Sequence, residues 1–210
     1  MKIVKPKAVI MYPANTDAWL HEAKMIERIG RIAYKSENRI THDSYRLFLA
    51  QIVKMGHEAV IEFGSMTVLF VTDRGVTHEQ VRHRLCSFVQ ESTRYCNYTK
   101  DKFGNEISVI QPDGLSADVI AIWIDAIQYS EKAYFHMIEK GCTPQQARSV
   151  LPTCTKAEIG IKANFREWRH IFQLRAISKT AHPDMRNLMI PLYEECRKSL
   201  PEIFNMGDPE

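Results

Sequence analysis

The sequence predicts a single-domain α+β fold, and three observations point there. Helical and strand patterns both recur along the chain, without the regular βαβ alternation that builds a doubly wound sheet. At 210 residues the chain is long enough for one sizeable core. No internal repeat, low-complexity tract or linker breaks residues 1–210 into parts. Its 45% hydrophobic and 25% charged content is ordinary for a soluble globular protein. The balance of 28 basic against 25 acidic side chains, net +3, is too mild to imply nucleic-acid binding by itself. Any strong positive potential must be local.

Residues 7–12 (KAVIMY) read as a short buried strand stopped by Pro13. Asn15 or Thr16 caps a helix to about Tyr34, with Trp19, Ala23, Ile26, Ile29 and Ile32 as an apolar stripe. Thr41 or Asp43 opens a second helix, with Leu47, Phe48, Ile52 and Val53 inward and Gly56 as its stop. His57 falls in the next turn, Glu62 follows five residues on, and Met66 to Val71 is a strand. Thr77 and Gln80 form a capping-box pattern for a helix reaching about Cys86. The chain then extends through Ser92 and Arg94, whose i,i+2 spacing puts both on one strand face.

Lys100 to Asn105 is a polar loop, and Ile107 to Ile110 a short strand. Ser116 caps a long helix to about Lys140, closed by Gly141, and Thr143-Pro144 restarts one that Pro152 ends. Lys156 to Ala163 alternates as a strand, and Asn164 caps the helix FREWRHIFQLRAI. At about 100° per residue, Arg166, Arg169, His170 and Gln173 share one face, opposite Asn164, Trp168, Ile171 and Arg175. His182 to Leu200 is the last helix, interrupted by Pro191.

Chemistry concentrates in Arg82 to Tyr95, RHRLCSFVQESTRY. Arg82, His83, Arg84 and Arg94 are cations or strong donors, while Leu85, Phe88 and Val89 tie the run to a core. Guanidinium groups bind phosphate in bidentate geometry and stack on rings, so the run suits an anionic, planar ligand. A solvated basic face is the plainer reading of a lone RHR triplet.

Other chemistries lack their signatures. There is no G-x-G-x-x-G turn, P-loop, G-x-S-x-G elbow or H-E-x-x-H helix. The five cysteines (Cys86, Cys96, Cys142, Cys154, Cys196) include no C-x-x-C pair, so neither a metal site nor a disulfide framework is expected. Cys86, two residues after Arg84, comes nearest to an activated thiol, but no cysteine has a persuasive activating neighbourhood. No window has the length of a membrane span or the pattern of a signal peptide, and a cytoplasmic location is expected. What remains is a set of arginines, histidines, serines and amides. It binds and polarises anions but supplies no nucleophile, so the hard chemistry is expected of a cofactor.

The RHR triplet, seven residues, Ser92 and then Arg94-Tyr95 resemble the signature of flavin-dependent thymidylate synthases. GHEAVIEF (Gly56 to Phe63), QQARSVLP (Gln145 to Pro152), NFREWRHIFQLR (Asn164 to Arg175) and AHPDMR (Ala181 to Arg186) resemble further segments of that family, in its order. The resemblance implies mixed helices around a central, mainly antiparallel sheet. It also implies a methyltransferase that converts dUMP to dTMP as a homotetramer with sites at subunit interfaces. FAD would be the cofactor, reduced by NADPH, and methylenetetrahydrofolate the one-carbon donor.

Carried over by position, Arg175 is the expected catalytic group, set against the uracil, where a fixed cation stabilises a developing anion. Glu79, Gln80, Arg82, Gln90, Glu91, Ser92, Thr93 and Arg94 are expected to hold dUMP with Arg175, and Arg148 to join them from another subunit. His57, Ala59, Arg82, His83, Arg84, Gln90, Asn164, Arg166 and His170 are expected to meet FAD, with His57 towards the folate side. No metal is expected. The chain departs from the family pattern at Glu79 (often glutamine), Gln90 (often glutamate), His170 (often asparagine), Ala59 (often a hydroxyl residue) and Phe63 (often histidine).

Two other functions compete. A related pyrimidine-modifying enzyme, transferring a hydroxymethyl group or acting on dCMP, would be marked by Glu79 and Gln90. A nucleic-acid-binding module would use the arginines with Tyr95 and Tyr98, against the mild net charge.

Overall fold

Alternating side chains define the strands. The computed structural model describes residues 1–209. Its strands are β1 (Lys2–Ile3), β2 (Lys7–Tyr12), β3 (Ser65–Asp73), β4 (Ser87–Gln90), β5 (Ser108–Val109) and β6 (Lys156–Asn164). Four of them form a sheet in the order β2-β3-β6-β4, and β1 pairs with β5 in parallel. β6 buries Ala157, Ile159, Ile161 and Ala163 and turns the residues between them outward. The Phe165 amide donates to the Gly64 carbonyl (2.9 Å), and the Arg74 amide to the Thr153 carbonyl (3.0 Å). Those pairings, at opposite ends of β3, make β3 and β6 antiparallel. The expected α+β fold with a mainly antiparallel sheet is the fold observed.

The helices are α1 (Thr16–Ile32), α2 (Ser44–Lys54), α3 (Arg74–Gln80), α4 (Ala117–Glu139), α5 (Pro144–Ala147), α6 (Phe165–Phe172), α7 (Pro183–Ser199) and α8 (Pro201–Phe204). Asn15, Asp73 and Asn164 cap α1, α3 and α6, each accepting from the amide three residues on.

The chain divides into two compact units. One comprises Met1–Lys7, Phe70–Arg82 and Val89–Ile159; the other Ala8–Leu69, His83–Phe88 and the residues from Gly160 on. No linker in the sequence marks this division, because each unit is assembled from three separate segments. In the first unit Tyr98, Ile107, Val109, Ile127, Tyr134 and Ala147 form a core under α4 and α5. The second unit is built on aromatic rings: Trp19 stacks on Phe165 (5.8 Å), and Phe204 meets Phe165 edge-on (5.3 Å). Trp168, fully buried, satisfies its indole N–H on the Met66 carbonyl at 3.0 Å. Gly64 has no room for a side chain: an added Cβ would come within 2.5 Å of the Phe165 ring and 2.6 Å of Ile26.

Several expected boundaries move. α3 starts at Arg74 on the Asp73 cap, and Thr77 is not a cap; its hydroxyl donates to the Arg74 carbonyl at 3.0 Å. Asp73 wins because its acceptor already stands at the strand end. Ser92 and Arg94 share no strand face, since the chain turns there and the Arg94 amide donates to Ser92 Oγ. Leu47 is 67% exposed, and Tyr45 and Leu49 fill the core places of α2 beside Phe48 and Ile52. α7 runs through Pro191 without a break. α8 and a short 3-10 helix over Glu58–Phe63 have no counterpart in the sequence-based reading. α6 ends in a π-type turn over Gln173–Ile177, which alters the helical wheel beyond Phe172.

Candidate active site

α6 carries the chemistry of the second unit. Its cap Asn164 accepts from the Glu167 amide at 2.8 Å, fixing where the helix begins. Arg166, Arg169, His170 and Gln173 then line a cavity of about 680 Å³, as the wheel predicts. Asn164 lines it too, contrary to the opposite-face placement, because a cap lies outside the helical register. Glu58, Glu62 and Glu167 bring carboxylates to the same wall. Arg166 donates to Glu62 at 2.6 Å, a bond that holds its guanidinium firmly protonated. Arg169 pairs with Glu58 at 3.3 Å and donates to the Ile203 carbonyl.

Beside this cavity His83 and Glu167 are both buried, each 7% exposed. Arg175 Nε donates to His83 Nε2 at 3.3 Å, and Glu167 Oε1 lies 3.7 Å from His83 Nδ1. The π-type turn brings Arg175 there, away from the Trp168 face that an uninterrupted helix would give it. The His170 ring stands edge-on to His83 at 6.1 Å. Burial raises the Glu167 pKa, against a smaller lowering by His170. Burial, aided by Glu167, also pushes the Cys86 thiol up to about 12, which removes it as a nucleophile near neutral pH.

The first unit holds a second cationic cavity, of about 480 Å³, lined by Arg74, His78, Thr93, Arg148 and Ser149 among others, with no carboxylate among the described residues of its lining. Arg148 Nη1 donates to Thr93 Oγ1 of its own chain at 3.4 Å. Arg74 Nη1 is itself buried and finds no hydrogen-bond partner. An orphaned buried guanidinium nitrogen is costly unless a ligand satisfies it.

The remaining expected residues are spread over both units. Gln90 donates to Thr77 Oγ1 at 2.9 Å, and the Glu91 carboxylate takes Lys156 at 3.0 Å. Burial pulls the Lys156 pKa down, but its bonds to Glu158 and Glu91 outweigh this and leave it raised. Gln80 is 1% exposed with neither amide atom partnered, and Glu79 is half-buried. Arg82, Arg84 and Ala59 are exposed, Ser92 is half-buried, and Arg94 lies over the Tyr95 ring at 5.3 Å. The exposed His57 has its Nδ1 3.0 Å from the Tyr34 hydroxyl. Arg74, His78, Arg169, Glu167 and Tyr34 escaped the sequence-based list. The helical wheel pointed to Arg169, and the i,i+4 spacing of Arg74 and His78, just before Arg82, offered a signal for those two.

Arginines line both cavities, a composition that suits anionic groups. A family model described as "Thymidylate synthase complementing protein" matches residues 16–202. A flavin-dependent thymidylate synthase of Mycobacterium sp. (strain JLS) is 31% identical over 220 residues, covering 91% of this chain and 82% of its own. That of Pyrococcus abyssi is 27% identical over 189 residues, covering 89% and 75%. The UMP/dUMP methylase PolB of Streptomyces cacaoi, solved with 5-Br dUMP, shares the fold with a TM-score of 0.76 at 19% identity, over 98% of this chain and 96% of that one. This chain belongs to the flavin-dependent thymidylate synthases, a methyltransferase family.

Proposed function

We propose that the chain methylates dUMP reductively to dTMP, with FAD as cofactor, methylenetetrahydrofolate as one-carbon donor and NADPH as reductant. Family membership supports the flavin and the product. The observation that carries the nucleotide is the 480 Å³ cavity in which Arg74, Arg148 and His78 converge without a carboxylate among the described residues. A phosphate monoester offers acceptors to the guanidinium groups that line it.

The residues beside α6 fit a flavin dinucleotide. The cavity volume lies in the range of small-molecule sites, and Asn164, Arg166 and His170 offer an amide, a guanidinium and an imidazole. Arg166 and Glu62 are both largely solvated, so exchanging that surface ion pair for a phosphate costs little. Glu58 and Glu62 suit hydroxyl groups. When bound, FAD supplies hydride transfer, a chemistry that no side chain provides.

Within this reading Arg148, Thr93, Ser92 and Arg94 hold the nucleotide, with Gln90 and Glu91 close in sequence. Arg175 sets a fixed positive charge against the uracil and favours its N3-deprotonated form. Arg82, His83 and Arg84 serve the flavin, and His57 its folate side. A homotetramer and the sharing of sites between subunits belong to the same proposal.

The test is the visible absorption of FAD-loaded protein with and without dUMP, then with anaerobic NADPH, and product analysis with methylenetetrahydrofolate. A flavin spectrum perturbed by dUMP and bleached by NADPH, with dTMP formed, is the expected result. Failure to bind FAD in excess overturns the reading. Turnover of dCMP in place of dUMP, or a hydroxymethyl product, would select the related pyrimidine-modifying activity instead.

A further inference from the structure

Arginine has five N–H donors and no acceptor, so a nitrogen that accepts from it must carry a lone pair. Arg175 Nε donates to His83 Nε2, which places the proton of a neutral His83 on Nδ1. The Glu167 carboxylate comes within 3.7 Å of Nδ1, in a setting where both side chains are 7% exposed. Nothing in the family resemblance assigns Glu167 a role. We propose that Glu167 is the positioning residue of Arg175, acting through His83: it holds the Nδ1–H tautomer and keeps Nε2 open to the guanidinium.

The logic is that of a carboxylate fixing the tautomer of a working histidine, with an arginine in place of the hydroxyl as the third member. The Nε2–H tautomer, or the protonated ring, would turn an N–H towards the Arg175 Nε–H, and the guanidinium would leave its place. The π-type turn matters because it delivers Arg175 to the imidazole on which α6 already holds Glu167. The effect on turnover rests on the proposed role of Arg175; the tautomer does not.

The tautomer is read directly by nitrogen-15 NMR of histidine-labelled wild-type protein at neutral pH, with His83→Asn to assign the signal. The expected spectrum shows Nδ1 protonated and Nε2 bare. The opposite tautomer overturns the inference whatever the protein catalyses. For the coupling, Glu167→Leu removes the acceptor and Glu167→Gln keeps one. E167L is expected to lower the dUMP turnover of FAD-loaded enzyme about 100-fold and E167Q about tenfold, both read at saturating FAD. In an Arg175→Lys background E167L should cost less than about threefold more, because the two changes remove the same interaction. Equal losses in both backgrounds, or an active E167L enzyme, refute the relay. A wild-type enzyme that shows the expected tautomer but never turns over dUMP counts against the proposed function, and leaves Glu167 as the holder of His83.

Discussion

Arg74→Met tests the anion cavity by separating two energies that the wild type combines. Arg74 Nη1 is buried without a partner, so the ligand-free protein carries the cost of a desolvated, unsatisfied donor, about 1–3 kcal/mol for such a group. Methionine keeps much of the apolar stem and drops the charge. The ligand-free variant should therefore gain about 1 kcal/mol, raising Tm by about 2–4 °C for a chain of this size. The nucleotide complex should lose a charge-assisted bond worth about 1.5–3 kcal/mol, which weakens dUMP binding about 10- to 100-fold. Deoxyuridine, which has no phosphate, should bind both proteins alike. Calorimetric titration with the two ligands, beside thermal unfolding without ligand, reads both terms. An R74M protein that binds dUMP as tightly as wild type, and prefers it to deoxyuridine by the same factor, refutes the assignment of this cavity to phosphate.

Three further outcomes follow from other sites. Because burial raises the folded pKa of Glu167, the native state holds that proton more tightly than the unfolded chain, so its contribution is full at low pH and is lost as pH rises through the folded value. Thermal unfolding of Glu167→Gln should thus gain on wild type as pH rises above the ordinary carboxylate range, and parallel curves would contradict this. Gly64→Ala drives a Cβ into Phe165 and Ile26 and should cost about 1–3 kcal/mol, seen in denaturant unfolding; an unchanged midpoint would show that the wall can yield. Cys86, its thiol raised to about 12, should resist iodoacetamide at about pH 8, and Cys86→Ser should keep wild-type turnover; rapid labelling of Cys86 with loss of activity would restore it as a nucleophile.

Strands and helix starts were legible where one local pattern dominated. The span of the KAVIMY strand, the alternation of KAEIGIKAN and the Asn15 and Asn164 caps all lie within a few residues of what they determine, but KAVIMY is largely exposed and not the buried strand expected. The start of α3 was misplaced because two capping signals, Asp73 and Thr77, competed, and the end of β3 decided between them. Leu47 satisfied the helical stripe yet faces solvent, since the core chose Tyr45 and Leu49.

The family of the chain was legible in the sequence alone, because RHR-x7-S, the Arg-Ser-Val-Leu-Pro segment and the Asn-x-Arg helix are ordered runs of residue identities. Which side chains meet was decided only by the tertiary structure. Arg74 and Arg148 are brought to one cavity from segments far apart in sequence, and a π-type turn swings Arg175 onto His83 against Glu167. Periodicity records which face of its own helix a residue occupies. It is silent about what another segment lays against that face, and therefore about which donors burial leaves waiting for a ligand.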